Sequence, residues 1–248
     1  MIKQPRRKRG WMNLIVDEVV EETHDTKTFI LVDQDDGGRA FDYIAGQYLT
    51  LRFDQIETKP LVRSYTMSSS PIQKDHVAFT VKRVKNGIVS NWLCDNTVKG
   101  DVLRARGPMG KFYFDPTKHH SHLVMVAAGS GVTPFVSIIR EYAANSHSDF
   151  LFSLLVSFKS TEDLILWRDL QELNERPYVN IVATLTREEH EEFWHGRPTG
   201  LLIDRLVDNR YDRKTYMTCG PQALMEMVVN HAREKGVHDN QILTESFA

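Results

Sequence analysis

The chain has 248 residues, of which 41% are hydrophobic and 26% charged, and its formal net charge at pH 7 is −2. A chain of this length forms one large domain or two modest ones. Binders of nucleic acid or of membrane surfaces are usually far more basic, so the charge argues against both classes of partner. The longest apolar run, residues 123–128, is much shorter than the ~20 residues of a membrane span, and no apolar stretch near the N-terminus predicts a signal peptide.

The sequence has two cysteines, Cys94 and Cys219, and this number limits the kinds of metal site that it can form. An iron–sulfur cluster usually takes four cysteine ligands, and a cysteine-rich structural zinc site is excluded for the same reason. We expect free thiols in the reducing cytoplasm, with a single disulfide as the alternative.

The N-terminal segment is basic and contains no acidic residue. We expect a solvated arm, and the alternative is a docking arm for an acidic partner. Its basic residues are Lys3, Arg6, Arg7, Lys8 and Arg9.

Residues 11–114 predict a series of short strands. Val77, Phe79 and Val81 alternate with small or polar residues, which is the period of a half-buried strand. Residues 28–32, 47–53 and 102–106 have similar patterns, and one short helix is expected over 90–96. Several short strands at this spacing predict an antiparallel sandwich or barrel.

The pattern changes after the polar stretch 115–120, which predicts a boundary between domains at 1–116 and 117–248. Strands are expected at 123–128, 150–156, 178–185, 215–218 and 241–246. Helices are expected at 134–144, from a capping box at Ser160 and Asp163 toward Asn174, at 199–207, and from Pro221 to Gly236. This alternation predicts a five-stranded parallel sheet with helices on both faces.

Two glycine-containing turns lie between a predicted strand and a predicted helix. In Gly129-Ser-Gly-Val-Thr-Pro134, the glycines let the backbone approach a pyrophosphate at a helix N-terminus, and Pro134 suits the first helical position. The segment lacks the third glycine of the dinucleotide fingerprint and the lysine of a P-loop. Thr218-Cys-Gly-Pro221 has the same strand–turn–helix order, and a lone cysteine there is more often a packing residue.

Two segments of the strand-rich half carry groups that suit a phosphate and a planar ring. In Arg63-Ser-Tyr-Thr, the arginine can bind phosphate, and Tyr65 projects to the same side of the strand. Gly87-Ile-Val-Ser90 predicts a serine N-cap at an anion-accepting helix start. Taken alone, the composition of the first segment favours an edge strand with a serine-rich turn.

Together these segments resemble the ferredoxin–NADP(H) reductase superfamily. Its signature, R-x-Y-[ST], then G-x-G-x-x-P, then C-G-P, is present in the family's order over nearly the whole chain. The resemblance implies a flavin-binding antiparallel β-barrel followed by a nicotinamide-nucleotide-binding α/β domain, with the flavin in the cleft between them. No metal is required, and His119, His120 and His122 are expected to be surface histidines.

The resemblance also implies a role for each matching residue. For FAD, Arg63 binds the pyrophosphate, Tyr65 stacks on the ring and Thr66 bonds to flavin N5. In the nucleotide domain, Cys219 lies beside the nicotinamide, and Glu245 with Phe247 forms the C-terminal ending, although Ala248 follows the aromatic residue. The complete set of cofactor-binding residues is Arg63, Ser64, Tyr65, Thr66, Val81, Lys82, Gly87, Ile88, Val89, Ser90, Gly129, Gly131, Thr133, Pro134, Thr186, Arg187 and Phe247, and the catalytic set is Thr66, Cys219, Glu245 and Phe247.

The activity implied is an FAD-containing oxidoreductase that passes electrons from NAD(P)H to a separate carrier, namely a ferredoxin, a flavodoxin or an oxygenase component. We expect a cytoplasmic monomer that binds neither nucleic acid nor membrane. The alternatives are a reductase of free flavin or ferric chelates, and a non-catalytic nucleotide-binding subunit.

The expected coenzyme is NADPH rather than NADH. Thr186-Arg187 follows a predicted strand and resembles the pair that family members use for the 2′-phosphate, and Arg197 is a second candidate. Against this, an acidic run follows immediately and would repel the phosphate if it faced the site. Its residues are Glu188, Glu189, Glu191 and Glu192.

Overall fold

The computed structural model describes residues 10–35, 37–144 and 149–247. The basic run at residues 3–9 and the terminal Ala248 therefore lie outside the described residues. The chain divides into two compact units, the first ending at Tyr113 and the second beginning at Phe114. Phe114 belongs to the second unit because its ring packs against Tyr142 and Phe150, with centroid distances of 5.0 and 5.3 Å.

Within its described residues, the first unit contains six strands and one helix. These are β1 (Met12–Thr23), β2 (Thr26–Asp33), β3 (Tyr48–Phe53), β4 (Leu61–Thr66), β5 (Val77–Lys82), α1 (Ile88–Asn96) and β6 (Val102–Met109). The strands pair antiparallel in the order β4-β3-β6-β1-β2-β5. A bridge between Met67 and Phe79 links the end of β4 to β5, so that the sheet curls into the expected barrel.

Alternation along the strands selects the barrel core. Leu49, Leu51 and Phe53 of β3 are buried, whereas the residues between them are half-buried. Inside the barrel, the Phe29 and Phe79 rings stack with centroids 5.2 Å apart.

Strand β5 differs from its prediction because it is buried on both faces rather than one. The segment after β4 covers its second face. There the Ser68 N–H donates to the Ala78 carbonyl at 2.8 Å, and the Thr80 hydroxyl bonds to those of Thr28 at 2.8 Å and Ser68 at 3.1 Å. These bonds satisfy the polar groups that burial would otherwise leave unpaired.

The second unit is a parallel sheet with four α-helices among its described residues. The strands are β7 (His122–Ala128), β8 (Leu151–Phe158), β9 (Val179–Leu185), β10 (Trp194–His195), β11 (Lys214–Cys219) and β12 (Ile242–Glu245), and the helices are α2 (Thr133–Tyr142), α3 (Trp167–Asn174), α4 (Gly200–Leu206) and α5 (Gln222–Glu234). All five expected strands are present, and the sheet has β10 as a sixth strand. This strand has two residues, too few to show a periodic pattern in the sequence. Among these helices, α4 and α5 share a buried core with Val124, Val126 and Tyr216 of the sheet.

The strand order β10-β9-β8-β7-β11-β12 reverses direction beside β7. The chain runs outward from β7 to β10 and then returns to the other side of β7 with β11. The carboxyl ends of β7 and β11 therefore flank the reversal, where open α/β sheets bind ligands.

The helix expected from the capping box is interrupted. Thr161–Asp163 forms a single 3₁₀ turn, and α3 begins only at Trp167. The Ser160 hydroxyl donates to the Asp163 carboxylate at 2.9 Å instead of capping the backbone, and the intervening Ile165 and Leu166 are buried. No helix within the described residues is both long and apolar enough to span a membrane.

Candidate flavin and nucleotide sites

Arg63 lies on β4 with a guanidinium that the described chain leaves without an acidic partner. The side chain is exposed, and its Nη1 donates to the adjacent Val62 carbonyl at 2.7 Å. Next to it, the Ser64 and Thr50 hydroxyls bond across the sheet at 3.0 Å. Arg63 can therefore offer its remaining donors to a phosphate.

Tyr65 presents a half-buried ring two residues beyond Arg63. The ring lies against Phe79, with centroids 5.3 Å apart and planes tilted by 32°. Burial raises the pKa of the Tyr65 phenol above its usual range, so the ring is neutral. Thr66, which follows, is buried at the end of the strand.

The turn before α1 differs from its prediction in one respect. Helix α1 begins at Ile88, its N-cap is Gly87, and Ser90 is the third helical residue rather than the N-cap. The Ser90 hydroxyl accepts a hydrogen bond from the Val84 N–H at 3.1 Å, which holds the preceding turn. A Cβ at Gly87 would lie 2.6 Å from that hydroxyl and 2.9 Å from Val84 Cβ, which favours glycine there. Among the described residues no side chain caps the helix start, so the first N–H groups can bind an anion.

Val81 and Lys82 lie at the end of β5, close to this helix in sequence. The Val81 side chain is buried, and the Lys82 ammonium binds the Asp25 carboxylate at 2.6 Å. Partial burial acts to raise the pKa of Asp25, but the Lys82 contact together with hydrogen bonds from Thr26 and Thr23 outweighs it and lowers that pKa. The backbone of this strand, rather than the Lys82 charge, is therefore what the site can offer.

The glycine loop after β7 fits tightly against the turn after β11. Gly129–Val132 forms a 3₁₀ turn, α2 begins at Thr133, and Pro134 is the second helical residue rather than the first. A Cβ at Gly131 would lie 2.2 Å from the Cys219 carbonyl oxygen, which no side chain tolerates. A Cβ at Gly129 would meet nothing within 4 Å, so the loop exposes backbone to open space, as a pyrophosphate site requires.

Cys219 ends β11, paired in register with Ala127 on one side and Glu245 on the other. Its side chain is fully buried. Burial, with a smaller contribution from Glu245, raises the pKa of the Cys219 thiol far above its ordinary range. Burial likewise raises the pKa of Glu245. Phe247, two residues further on, is 43% exposed. Cys219 is therefore a neutral thiol, suited to packing against a ring and not to nucleophilic attack.

Arg187 and Arg197 each follow the end of a parallel strand. The Thr186 and Arg187 N–H groups continue the sheet by donating to Phe158 and Lys159 at 3.0 and 2.8 Å, and Gly196 N–H donates to Leu185 at 2.8 Å. Both arginine side chains are exposed, and within the described residues neither forms an ion pair.

Two features at this edge were missed by the sequence analysis. The Glu188 carboxylate accepts a hydrogen bond from the Thr161 N–H at 2.7 Å, so it is directed onto a neighbouring turn. Thr218 has a buried hydroxyl without a hydrogen-bond partner among the described residues. Only the fold brings these groups into their positions, and no local pattern marks them.

The residues present fit both nucleotides. Arg63 without an acidic partner, the Tyr65 ring and the open start of α1 suit FAD, and the exposed backbone of the glycine loop suits a second pyrophosphate.

Comparison with known proteins gives matches in both halves of the chain. Residues 13–114 match the oxidoreductase FAD-binding domain family, and residues 125–230 match the oxidoreductase NAD-binding domain family. The chain is 32% identical over 239 residues to the ferredoxin reductase component of 3-ketosteroid-9-alpha-monooxygenase from Mycolicibacterium smegmatis, covering 95% of this chain and 65% of that protein.

Two solved structures share the fold. The flavohem-like FAD/NAD binding domain of nitric oxide dioxygenase from Vibrio cholerae O1 biovar El Tor aligns with a TM-score of 0.84 and 23% identity, covering 97% of this chain and 99% of that one. A ferredoxin NADP+ reductase from Neisseria gonorrhoeae with bound FAD and NADP aligns with a TM-score of 0.79 and 21% identity, covering 97% of this chain and 100% of that one.

Proposed function

The chain belongs to the ferredoxin–NADP(H) reductase superfamily, and from this premise we propose that it is an FAD-containing oxidoreductase passing electrons from NADPH to a separate one-electron carrier. When bound, FAD supplies the redox chemistry, because a flavin can take two electrons as a hydride and pass them on one at a time. The protein residues bind both nucleotides, orient them and exclude water.

The observation that carries this proposal is the close approach of Gly131 to Cys219. It brings the glycine loop after β7 against the cysteine turn after β11, at the point where the strand order reverses. A pyrophosphate on the loop's exposed backbone would place the rest of its nucleotide beside that turn. Two unrelated sequence motifs thus share one edge of the sheet, as a single nucleotide site requires.

In the first unit, Arg63 would neutralise the flavin pyrophosphate together with the first N–H groups of α1. Tyr65 offers a neutral ring for stacking, and Thr66 offers a hydroxyl and an N–H toward flavin N5. Because Arg63 makes no competing ion pair among the described residues, its charge is available without reorganisation.

At the C-terminal edge of the second sheet, Cys219 would hold the nicotinamide carbon in place as a neutral thiol. Glu245, adjacent in register on β12, is half-buried, and this burial raises the pKa of its carboxyl group. The exposed Phe247 would cover the second face of the flavin until the nicotinamide displaces it.

The preference for NADPH rests on Arg187 and Arg197, two positive charges after adjacent strands that form no ion pair with any described residue. A 2′-phosphate gains charge-assisted hydrogen bonds from them, whereas NADH leaves them unused. The contact between Glu188 and Thr161 supports this assignment, because it directs the first carboxylate of the acidic run onto a turn.

The electron acceptor is proposed to be a small acidic carrier, a ferredoxin or flavodoxin, or an oxygenase component. The chain has two cysteines, so these residues do not supply the four ligands of an iron–sulfur cluster. Both cysteines are free and buried, which supports a reducing location such as the cytoplasm. We take the reductase to act as a monomer, without nucleic acid or membrane.

Cytochrome c reduction tests this function in the FAD-reconstituted protein. With NADPH as donor, we expect rapid reduction only after a [2Fe–2S] ferredoxin is added. Equal rates with free FAD in place of ferredoxin would support a free-flavin reductase instead. No reduction under any condition, with both nucleotides bound, would support a non-catalytic nucleotide-binding subunit.

A further inference from the structure

The loop between β9 and β10, residues 186–193, is anchored at three points. Its first two N–H groups extend the sheet onto Phe158 and Lys159. Near its end, the Phe193 ring packs on Trp167, with centroids 5.2 Å apart. Between these anchors, Glu188 bonds to Thr161, which is 27 residues away in the sequence.

The contact between Glu188 and Thr161 uses most of what the carboxylate can offer. Its Oε2 accepts from the Thr161 N–H at 2.7 Å, and both of its oxygens lie within 3.1 Å of the Thr161 hydroxyl. Thr161 opens a 3₁₀ turn whose first N–H needs an acceptor, and the Ser160 hydroxyl is engaged with Asp163 instead. Glu188 is therefore the cap of that turn, supplied from a different segment of the chain.

This contact directs the Glu188 carboxylate onto the turn. In addition, the Glu188 carbonyl bonds to His195 Nδ1 at 2.9 Å, which ties the loop to β10. Arg187, which directly precedes Glu188, is exposed and forms no ion pair among the described residues. Glu189, by contrast, is exposed and makes no such contact with the residues that the structure describes, so it provides a matched control.

We infer that Glu188 is a positioning residue that fixes the loop carrying Arg187 and thereby sets the affinity for the 2′-phosphate of the coenzyme. This inference rests on the proposed use of NADPH. The inference and simple charge repulsion predict opposite changes in phosphate affinity when Glu188 is removed. An acid that only repels the phosphate would strengthen binding when removed, whereas a positioning acid weakens binding when removed.

The test compares Glu188→Ala, Glu188→Gln, Glu189→Ala and Arg187→Ala in the FAD-loaded chain. Calorimetry with adenosine 2′,5′-bisphosphate and with 5′-AMP measures the affinity that the 2′-phosphate adds. We expect Glu188→Ala to weaken bisphosphate binding about tenfold, since a hydrogen bond to a charged group is lost. Glu188→Gln keeps an acceptor for the Thr161 N–H and should stay within about threefold of wild type. Binding of 5′-AMP should not change in any Glu188 or Glu189 variant.

Hydrogen exchange gives a readout that does not depend on the coenzyme. In Glu188→Ala, the amides of Thr186 and Arg187 should exchange about tenfold faster, while Glu189→Ala leaves them unchanged. Unchanged exchange at these amides in Glu188→Ala, or tighter bisphosphate binding, would overturn the inference.

The controls separate this inference from the proposed coenzyme. If wild type binds 5′-AMP as tightly as the bisphosphate, the proposed phosphate site is wrong and the inference fails with it. If wild type discriminates and Arg187→Ala removes that discrimination, the site stands. Equal discrimination by Glu188→Ala and wild type would then refute the role of Glu188 alone.

Discussion

At the scale of single residues, the proposed flavin site depends on Arg63, a positive charge that the described chain leaves without an ion pair. We expect Arg63→Ala to weaken FAD binding ten- to a hundredfold, because a charge-assisted contact contributes ~1.5–3 kcal/mol. Arg52→Ala is the matched control, since Arg52 lies on the adjacent strand and is paired with Asp54 at 2.7 Å. Flavin fluorescence titration of the apoprotein measures both affinities. Equal losses for the two variants would mean that Arg63 has no special role.

The raised pKa of Cys219 predicts how its replacement behaves. Cys219→Ala should slow flavin reduction by the nucleotide about tenfold or more while FAD stays bound, because in the proposed site the nicotinamide would lose a side chain that positions it. Since the thiol stays protonated, the wild-type reduction rate should show no ionisation from Cys219 between about pH 6 and 9. Stopped-flow absorbance across that range measures both effects. Identical rates for mutant and wild type would return Cys219 to a packing role.

The same raised pKa has a consequence for stability. A group whose pKa is raised by folding contributes stability below its unfolded pKa, and that contribution is lost as the pH rises further. Wild type should therefore lose more unfolding free energy than Cys219→Ala between neutral and alkaline pH, measured by urea denaturation. Parallel losses would contradict the burial of a neutral thiol.

Phe247 should behave in the opposite way to Cys219. If its ring covers the flavin, removing it with Phe247→Ala removes a competitor for the nicotinamide and should tighten coenzyme binding several-fold. The dissociation constant for NADP+ measures this, with Phe112→Ala, a buried ring of the first unit, as a control for general destabilisation. Weaker binding in Phe247→Ala would exclude the covering role.

At the scale of elements, the glycine loop provides the sharpest test. Gly131→Ala places a methyl group 2.2 Å from the Cys219 carbonyl, so the loop or the cysteine turn must move. We expect at least a tenfold loss of NADPH affinity with FAD retained. Ser130→Ala, which keeps the backbone carbonyl that accepts from Thr133, should bind NADPH normally. Normal affinity in Gly131→Ala would mean that this loop does not hold the nucleotide.

The positions of strands and helices could be predicted from the local sequence wherever the hydrophobic pattern was clear. The alternation of Val77, Phe79 and Val81 predicted β5, but not the segment over its second face. The capping box at Ser160 predicted a continuous helix, yet burial of Ile165 and Leu166 produced a turn and a break. Local propensity was outweighed in both cases by packing between distant segments.

At the scale of the whole molecule, the motifs predicted the two kinds of sheet and their chain order. The approach of Gly131 to Cys219 and the hydrogen bond that Thr161 donates to Glu188 are tertiary contacts, which no spacing in the sequence specifies. Residue types alone did not show whether the acidic run beside Arg187 faces the proposed phosphate site. The hydrogen bonds of Glu188, the first residue of that run, show which way its carboxylate is directed. Chemistry could thus be predicted from motifs, whereas the orientation of charges required the fold.

The most direct test of an NADPH-dependent flavoenzyme is an anaerobic titration of the FAD-reconstituted protein, followed at the flavin absorbance bands. We predict that one equivalent of NADPH bleaches the bound flavin, and that Gly131→Ala slows this bleaching while keeping its flavin. Failure to bind FAD, or bound FAD that neither NADPH nor NADH reduces, would contradict the account.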